Sequence, residues 1–257
     1  MIQRSSLLEL KNSLHSVRLA TYMDACHNDT VKALELYRWN LQLASAFQEV
    51  LSITEIVMRN AIDGALRTWN AHPDQQRRVI PHASQPARAN VLPPGPADWI
   101  LGAASPLNSL VRNPRETALR QAREARSRRP TSHPRKTAPI THDDLLAQFT
   151  FGVFVKLLPT TDTTHRNYTN RKLLWEQAIH HAFPHYTDDL DGEILADRVG
   201  RLHSLRNRVS HMEPLLSVNA AARHTDALKV IATVSSPTRD WCAGTSRVRT
   251  ILRAYPL

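Results

Sequence analysis

The sequence predicts an all-α protein, and three observations carry that reading. Glycine accounts for only 7 of 257 residues and aromatics for 6%, whereas β-sandwiches and nucleotide-binding α/β sheets need glycine at turns and phosphate loops. No Gly-rich phosphate loop and no GxSxG elbow occurs. Apolar residues recur at helical spacing through long proline-free stretches. With 42% apolar residues the chain is globular rather than disordered. Its length suits a single domain, with a core from residues 5–70 and 140–257 and a basic, proline-rich segment over 71–139.

The elements follow in order. Residues 5–25 carry Leu7, Leu10, Leu14, Val17 and Tyr22 at helical spacing and predict a first helix. Thr30 can cap the next. From Val31 to Trp69 there is no proline and one glycine, and Tyr37, Leu41, Ala44, Leu51, Met58, Ile62 and Leu66 mark one stripe. Phe47, Val50, Val57 and Ala61 widen it, so a long central helix is expected. Eleven of the 16 prolines fall between Ala71 and Pro139. That stretch predicts loops, a turn near Asp98–Leu101 and a helix from Pro114 to Arg128. His142–Leu158 reads as one buried helix, with Asp143 and Asp144 in its first turn. Further helices are expected over Asn170–Phe183, Glu193–Met212, Ala220–Val234 and Arg239–Ala254.

The formal net charge is +10 and the pI about 10.2, which suits a polyanionic partner, nucleic acid first. No apolar run approaches the roughly 20 residues of a membrane span, and the N-terminus lacks a secretory apolar core. Cys26 and Cys242 are too few for a disulfide framework or a cysteine zinc site, so a cytoplasmic setting is expected.

The pattern Arg-x4-His occurs five times, at Arg67/His72, Arg77/His82, Arg128/His133, Arg198/His203 and Arg206/His211. Only the last has a polar amide directly after the arginine and a helix stop directly after the histidine. Asn207 and His211 share a face as an i,i+4 pair, and the long Arg206 side chain can sweep toward the same phosphate. Pro214 disfavours helix at Glu213, which puts His211 in the last turn, where the helix dipole favours imidazolium. An imidazole beside a guanidinium suits attack of a ribose 2′-hydroxyl on its own phosphate, without metal. Spacing alone favours the bland reading, a C-terminal-turn histidine serving the dipole beside a surface arginine.

Four ordered blocks, LYRWNLQLASAFQEVLSITEIVMRNAIDGAL (36–66), ITHDDLLAQFTFGVFVKLL (140–158), LLWEQAIHHAFP (173–184) and LRNRVSHMEPLL (205–216), resemble the Abi-like family of bacterial abortive-infection proteins, within the HEPN superfamily. The resemblance covers about residues 31–216. It implies an all-α HEPN-like bundle and a metal-independent endoribonuclease serving as toxin or antiphage effector. The family motif Arg-polar-x3-His falls on Arg206, Asn207 and His211, and its E-x3-R-N element on Glu55, Arg59 and Asn60. Val153-Phe154 stands where relatives often carry Phe-Trp, a core change.

The resemblance also implies pairing of two copies through the motif surface, with RNA and an antitoxin, itself RNA or protein, as further partners. Glu55 or Asn60 would orient Arg206 or His211. Equally, Glu55, Arg59 and Asp63 at i,i+4 spacing predict an intrahelical ion-pair chain. Nine Arg/Lys lie between Arg112 and Lys136 against Glu116 and Glu124. Arg112, Arg115, Arg120, Arg123, Arg126, Arg128 and Arg129 form either a phosphate-contacting arm or a solvated face. His180, His181 and His185 straddle Pro184 and make no helical metal-ligand pair, so neither metal nor cofactor is expected. A non-catalytic helical protein that binds RNA or a partner is the rival reading.

Overall fold

The structure, a computed structural model, describes residues 4–79, 90–187 and 189–257, with side chains from Glu9 onward. His82 and the Leu7 side chain therefore lie outside the described residues. The described residues are α-helical apart from loops, one 3-10 turn and two isolated bridges, Val79–Ala104 and Val91–Ile140. The chain divides into two compact units. One comprises Met1–Thr54, Arg201–Ala232 and Ser236–Leu257, the other Glu55–Gly200 and Thr233–Ser235.

The first unit holds α1 (Arg4–Leu14), α2 (Ser16–Ala25), the first part of α3 (Thr30–Ala71) and the end of α9 (Glu193–Ser210). It is completed by α10 (Ala220–Val234) up to Ala232, α11 (Ser236–Thr245) and α12 (Val248–Arg253). The single helix expected over 5–25 is broken at His15, whose φ is 65°. Its Nδ1 accepts the Val17 N–H and so starts α2. The break lets α2 bury Leu19, Tyr22 and Met23 while Val17 stays 76% exposed. Similarly, the helix expected over Arg239–Ala254 is two, α11 and α12, because the chain turns at Ser246 and Arg247.

Helix α3 is as long as its proline-free sequence predicts. Ala44, Phe47, Val50, Leu51, Met58, Ile62 and Leu66 are buried as expected. Near its start the buried residues are Leu36, Trp39, Asn40 and Leu43, and Leu41 is exposed. A straight 3.6-residue helix drifts about 20° per heptad, so extrapolating a seven-residue repeat backward misplaces the seam. Trp39 Nε1 donates to the Ile251 carbonyl at 2.7 Å, and its ring meets Tyr255 edge-on.

The second unit holds the rest of α3, α4 (Pro73–Gln76), α5 (Leu107–Arg128), α6 (His142–Leu146), α7 (Phe151–Val155), α8 (Tyr168–Gln177) and the start of α9. Buried Asn70 ties the proline-rich loop to α3 by donating to the carbonyls of Pro96 and Gly102 and accepting from Ala104 N–H. Helix α5 begins at Leu107, seven residues before the predicted start, with Pro114 inside it. Leu107, Val111, Ala118, Leu119 and Ala122 make one buried stripe, and that burial outweighs the bond lost at Pro114.

The single helix expected over His142–Leu158 is two, α6 and α7. Leu145, Leu146, Phe149, Phe151, Phe154, Leu157 and Leu158 are all buried. On one straight helix they would point around the whole circumference; the bend at Phe149–Thr150 turns them all inward. Asn170–Phe183 is α8 followed by a 3-10 turn, Ile179–Ala182. The helix α9 is launched by Asp189, whose carboxylate accepts the N–H groups of Glu193, Ile194 and Leu195.

Candidate functional site

Helix α9 ends in a Schellman turn, and that turn shapes the surroundings of His211. Met212 N–H donates to Val209 O at 3.1 Å, and Glu213 N–H to Arg208 O at 2.9 Å. Such a turn needs a left-handed residue, normally glycine, and here Met212 takes it with φ 54°. The turn is clamped from three directions. Arg18 Nη1 donates to the Met212 carbonyl at 3.0 Å. The amide oxygen of buried Asn40 accepts Leu215 N–H at 2.7 Å. Arg208 Nη1 donates to Pro214 O at 3.3 Å.

Beside the turn lies a cavity of about 570 Å³, lined by His15, Arg18, Tyr22, His211, Met212 and Glu213 among others. Burial, reinforced by Tyr37, pushes the Tyr22 hydroxyl up to about 12, so it remains a neutral phenol. His211 is exposed, and its side chain makes no hydrogen bond or ion pair among the described residues. Among the described residues the lining thus includes two imidazoles, a guanidinium and one carboxylate, that of Glu213. That set can move protons and hold an anion.

Arg206 and Asn207 are half-buried on α9 and are not among the residues lining this cavity. In an α-helix, positions five apart are rotated by about 140°, so the arginine and the histidine leave the helix on different sides. Sequence reasoning missed His15 and Arg18. Arg18 lies 194 positions from Met212, and only the fold joins them.

Glu55, Arg59 and Asn60 lie on the part of α3 in the second unit. Arg59 Nε donates to Asn60 Oδ1 at 3.5 Å. The ion-pair chain Glu55–Arg59–Asp63 does not form; Asp63 turns to a buried network instead. Its Oδ1 accepts Trp99 Nε1 at 2.8 Å and meets His142 Nε2 at 2.8 Å, while Oδ2 accepts Arg67 Nε at 2.7 Å. His142 Nδ1 meets Asp98 Oδ1 at 2.9 Å. Burial alone would lower the His142 pKa, but the hydrogen bonds to Asp63 and Asp98 outweigh it and raise it. Burial alone would raise Asp63, but hydrogen bonds from His142, Arg67 and Trp99 hold it below the usual range. With both ring nitrogens engaged by carboxylate oxygens and the residue 9% exposed, His142 is a structural residue whose charged form the network favours.

The basic segment is mostly one helix, α5, and its arginines have different duties. Arg115 departs from the phosphate-contact expectation: it is 1% exposed and Nη2 donates to Asn108 Oδ1 at 2.7 Å. Arg126 holds the Thr137 carbonyl, and Arg129 holds the Arg135 carbonyl and Asp144. Arg128 is exposed and pairs loosely with Glu124 at 3.7 Å. Arg112, Arg120 and Arg123 are exposed and fall within about 80° of one another around the helix.

Among the described residues no group of three or more His, Cys, Asp or Glu side chains could hold a metal ion. No described helix is long and apolar enough to cross a membrane. Comparison with family models, curated proteins and solved structures returns no match.

Proposed function

We propose that the chain is a metal-independent endoribonuclease of the HEPN type, acting as a toxin or abortive-infection effector in the cytoplasm. The observation that carries this reading is the unpartnered His211 side chain on a cavity that also holds His15 and Arg18. The net charge of +10 and the Abi-like resemblance support it.

In this reaction the 2′-oxygen attacks phosphorus, its proton passes to a base, and the P–O5′ bond breaks as an acid protonates the leaving oxygen. The products are a 2′,3′-cyclic phosphate and a 5′-hydroxyl. Two proton transfers call for two groups, and His211 and His15 are the pair this cavity offers. Arg18 stands where the guanidinium charge would meet phosphate. Arg206 would reach the same phosphate from a second copy, because five positions before His211 it leaves α9 on a different side, and Asn207, one turn before His211 on the same face, would position the imidazole. A two-fold homodimer is the simplest assembly that does so. An antitoxin, RNA or protein, would act by covering this surface.

The test is cleavage of single-stranded RNA in EDTA with analysis of the ends. Cyclic phosphate ends are expected, with a loss of at least about a hundredfold on His211→Ala. Mixed Arg206→Ala and His211→Ala chains should regain part of the activity that each lacks alone. A strict magnesium requirement, or undiminished cleavage by His211→Ala, overturns the reading. The divergence of Arg206 from His211 and the exposed Arg112, Arg120 and Arg123 favour a second reading, a helical protein that binds RNA or a partner without cutting. Undiminished binding with no cleavage would establish that one.

A further inference from the structure

A second cavity, of about 260 Å³, lies within the first unit. Arg201, Ser204 and Arg208 of α9 line it, together with Asn219 and Arg223 from the N-terminal part of α10. Its volume falls below the roughly 300–1,000 Å³ of small-molecule sites, so it suits one compact group rather than a whole nucleotide.

Each of the three guanidinium groups is anchored through part of itself. The buried Asp226 carboxylate accepts Arg201 Nε at 3.0 Å and Nη2 at 3.1 Å, and it meets Arg223 Nη1 at 3.2 Å. Arg208 Nη1 donates to Pro214 O at 3.3 Å and to Ser217 Oγ at 3.4 Å. Other nitrogens of the same groups are on offer. Arg208 Nη2 and the Nε and Nη2 of Arg223 make no hydrogen bond among the described residues, and all three stay open to solvent. The side chains that carry them are 41% and 19% exposed. Glu213 stands 3.8 Å from Arg208 Nε and is half exposed, so it offsets that charge weakly.

Like charges on one small cavity repel, and an anion between them relieves the repulsion. The guanidinium fork matches the oxygens of phosphate, and its charge-assisted bonds are the strong ones. The open donors come from two helices. A tetrahedral phosphate can accept from both at once, whereas a planar carboxylate presents a single edge. Because Asp226, Pro214 and Ser217 already hold these side chains, little rotamer freedom remains to be lost on binding. The N-terminal end of α10 adds positive potential to what the arginines supply.

We infer that the cavity lined by Arg201, Arg208 and Arg223 binds phosphate, either a free phosphate group or one phosphodiester of an RNA strand. The inference does not rest on cleavage at His211, because phosphate binding is measured without turnover.

The experiment is titration of the full chain, at constant ionic strength, with inorganic phosphate, with ribose 5-phosphate and with a short RNA methylated at its 2′-oxygens, which cannot attack. At least one of the three should bind. Binding of inorganic phosphate or ribose 5-phosphate identifies a free phosphate as sufficient, whereas binding of the RNA alone identifies a strand. Arg208→Gln and Arg223→Gln should each weaken binding about tenfold, the effect of one lost charge-assisted contact. Arg166→Gln removes the same charge from an exposed position of the second unit and should leave binding unchanged. Thermal melts report folding of each variant. In the parent chain the bound ligand should also protect Arg208 and Arg223, but not Arg166, from phenylglyoxal, read by peptide mass. If none of the three ligands binds, if Arg166→Gln weakens binding as much as Arg223→Gln does, or if the folded Arg208 and Arg223 variants bind as tightly as the parent chain, the inference is overturned. Should those variants not fold, the protection measurement decides alone, and unprotected Arg208 and Arg223 overturn it.

Discussion

Arg18 Nη1 donates to the Met212 carbonyl at 3.0 Å, across 194 positions of sequence. The bond holds the one residue at the end of α9 with a left-handed backbone, φ 54°. A non-glycine residue there costs roughly 1–2 kcal/mol, and the Arg18 and Asn40 clamps offset that cost. His211 precedes Met212 and stays on the helical ladder through its N–H to the Asn207 carbonyl at 3.0 Å, while the left-handed Met212 turns the chain that follows.

Met212→Gly should therefore stabilise the chain slightly. Relief of the left-handed cost is set against about 0.5–1 kcal/mol of extra glycine freedom in the unfolded chain, and Met212 is 60% exposed, so little packing is lost. A net gain of about 0.5 kcal/mol is expected. Arg18→Ala should cost about 1 kcal/mol. Urea unfolding measures both; a destabilising glycine would show that the turn holds no strain.

The His142 network should make stability pH-dependent on both sides. The folded His142 pKa is raised above 6.5, so its contribution is complete below that value and is lost as pH rises through the folded pKa. The folded Asp63 pKa is lowered below 3.8, so its contribution is complete above that value and is lost as pH falls through the folded pKa. His142→Gln should cost about 3–5 kcal/mol at pH 6, because it leaves buried carboxylates without their imidazolium. The gap in Tm between the parent chain and this variant should narrow as pH rises toward 9. A gap independent of pH would mean His142 is neutral in the fold.

Gly192→Ala should be the most disruptive small change in the second unit. Gly192 has φ +70°, and an added Cβ would come within 2.4 Å of Trp175 Cε2. Trp175 cannot retreat readily: it is 3% exposed and its indole donates to Leu190 O at 2.9 Å. Strained backbone and overpacking together should cost about 3 kcal/mol. Thermal unfolding checks it, and a loss below about 1 kcal/mol would contradict the close packing.

The arginines of α5 should separate by role. Replacing Arg112, Arg120 and Arg123 with Ser should flatten the slope of log K against log salt for single-stranded RNA by roughly 0.7 per lost contact, with Tm little changed. Arg126→Ser and Arg129→Ser should lower Tm instead, because these side chains hold the 129–137 loop. An unchanged slope for the first set would assign that face to solvent or a protein partner.

By itself the sequence determined the helical class, the length of α3 and the end of α9, because these depend on local quantities: apolar period, absence of proline, and the stop at Pro214. It also marked His211 as a histidine at a helix end. Only the tertiary structure decided which groups accompany it. Arg206 is near His211 in sequence yet diverges from it around the helix, while His15 and Arg18 are far away and share its cavity. The breaks at His15 and Thr150 were equally hidden, since each answers to where apolar side chains find cover. The network of Asp63, Asp98 and His142 makes the same point. Asp63 stood at the right spacing to pair with Arg59, but a buried carboxylate gains more from an imidazolium, an indole and a guanidinium in a dry interior than from one partner on a wet helix face.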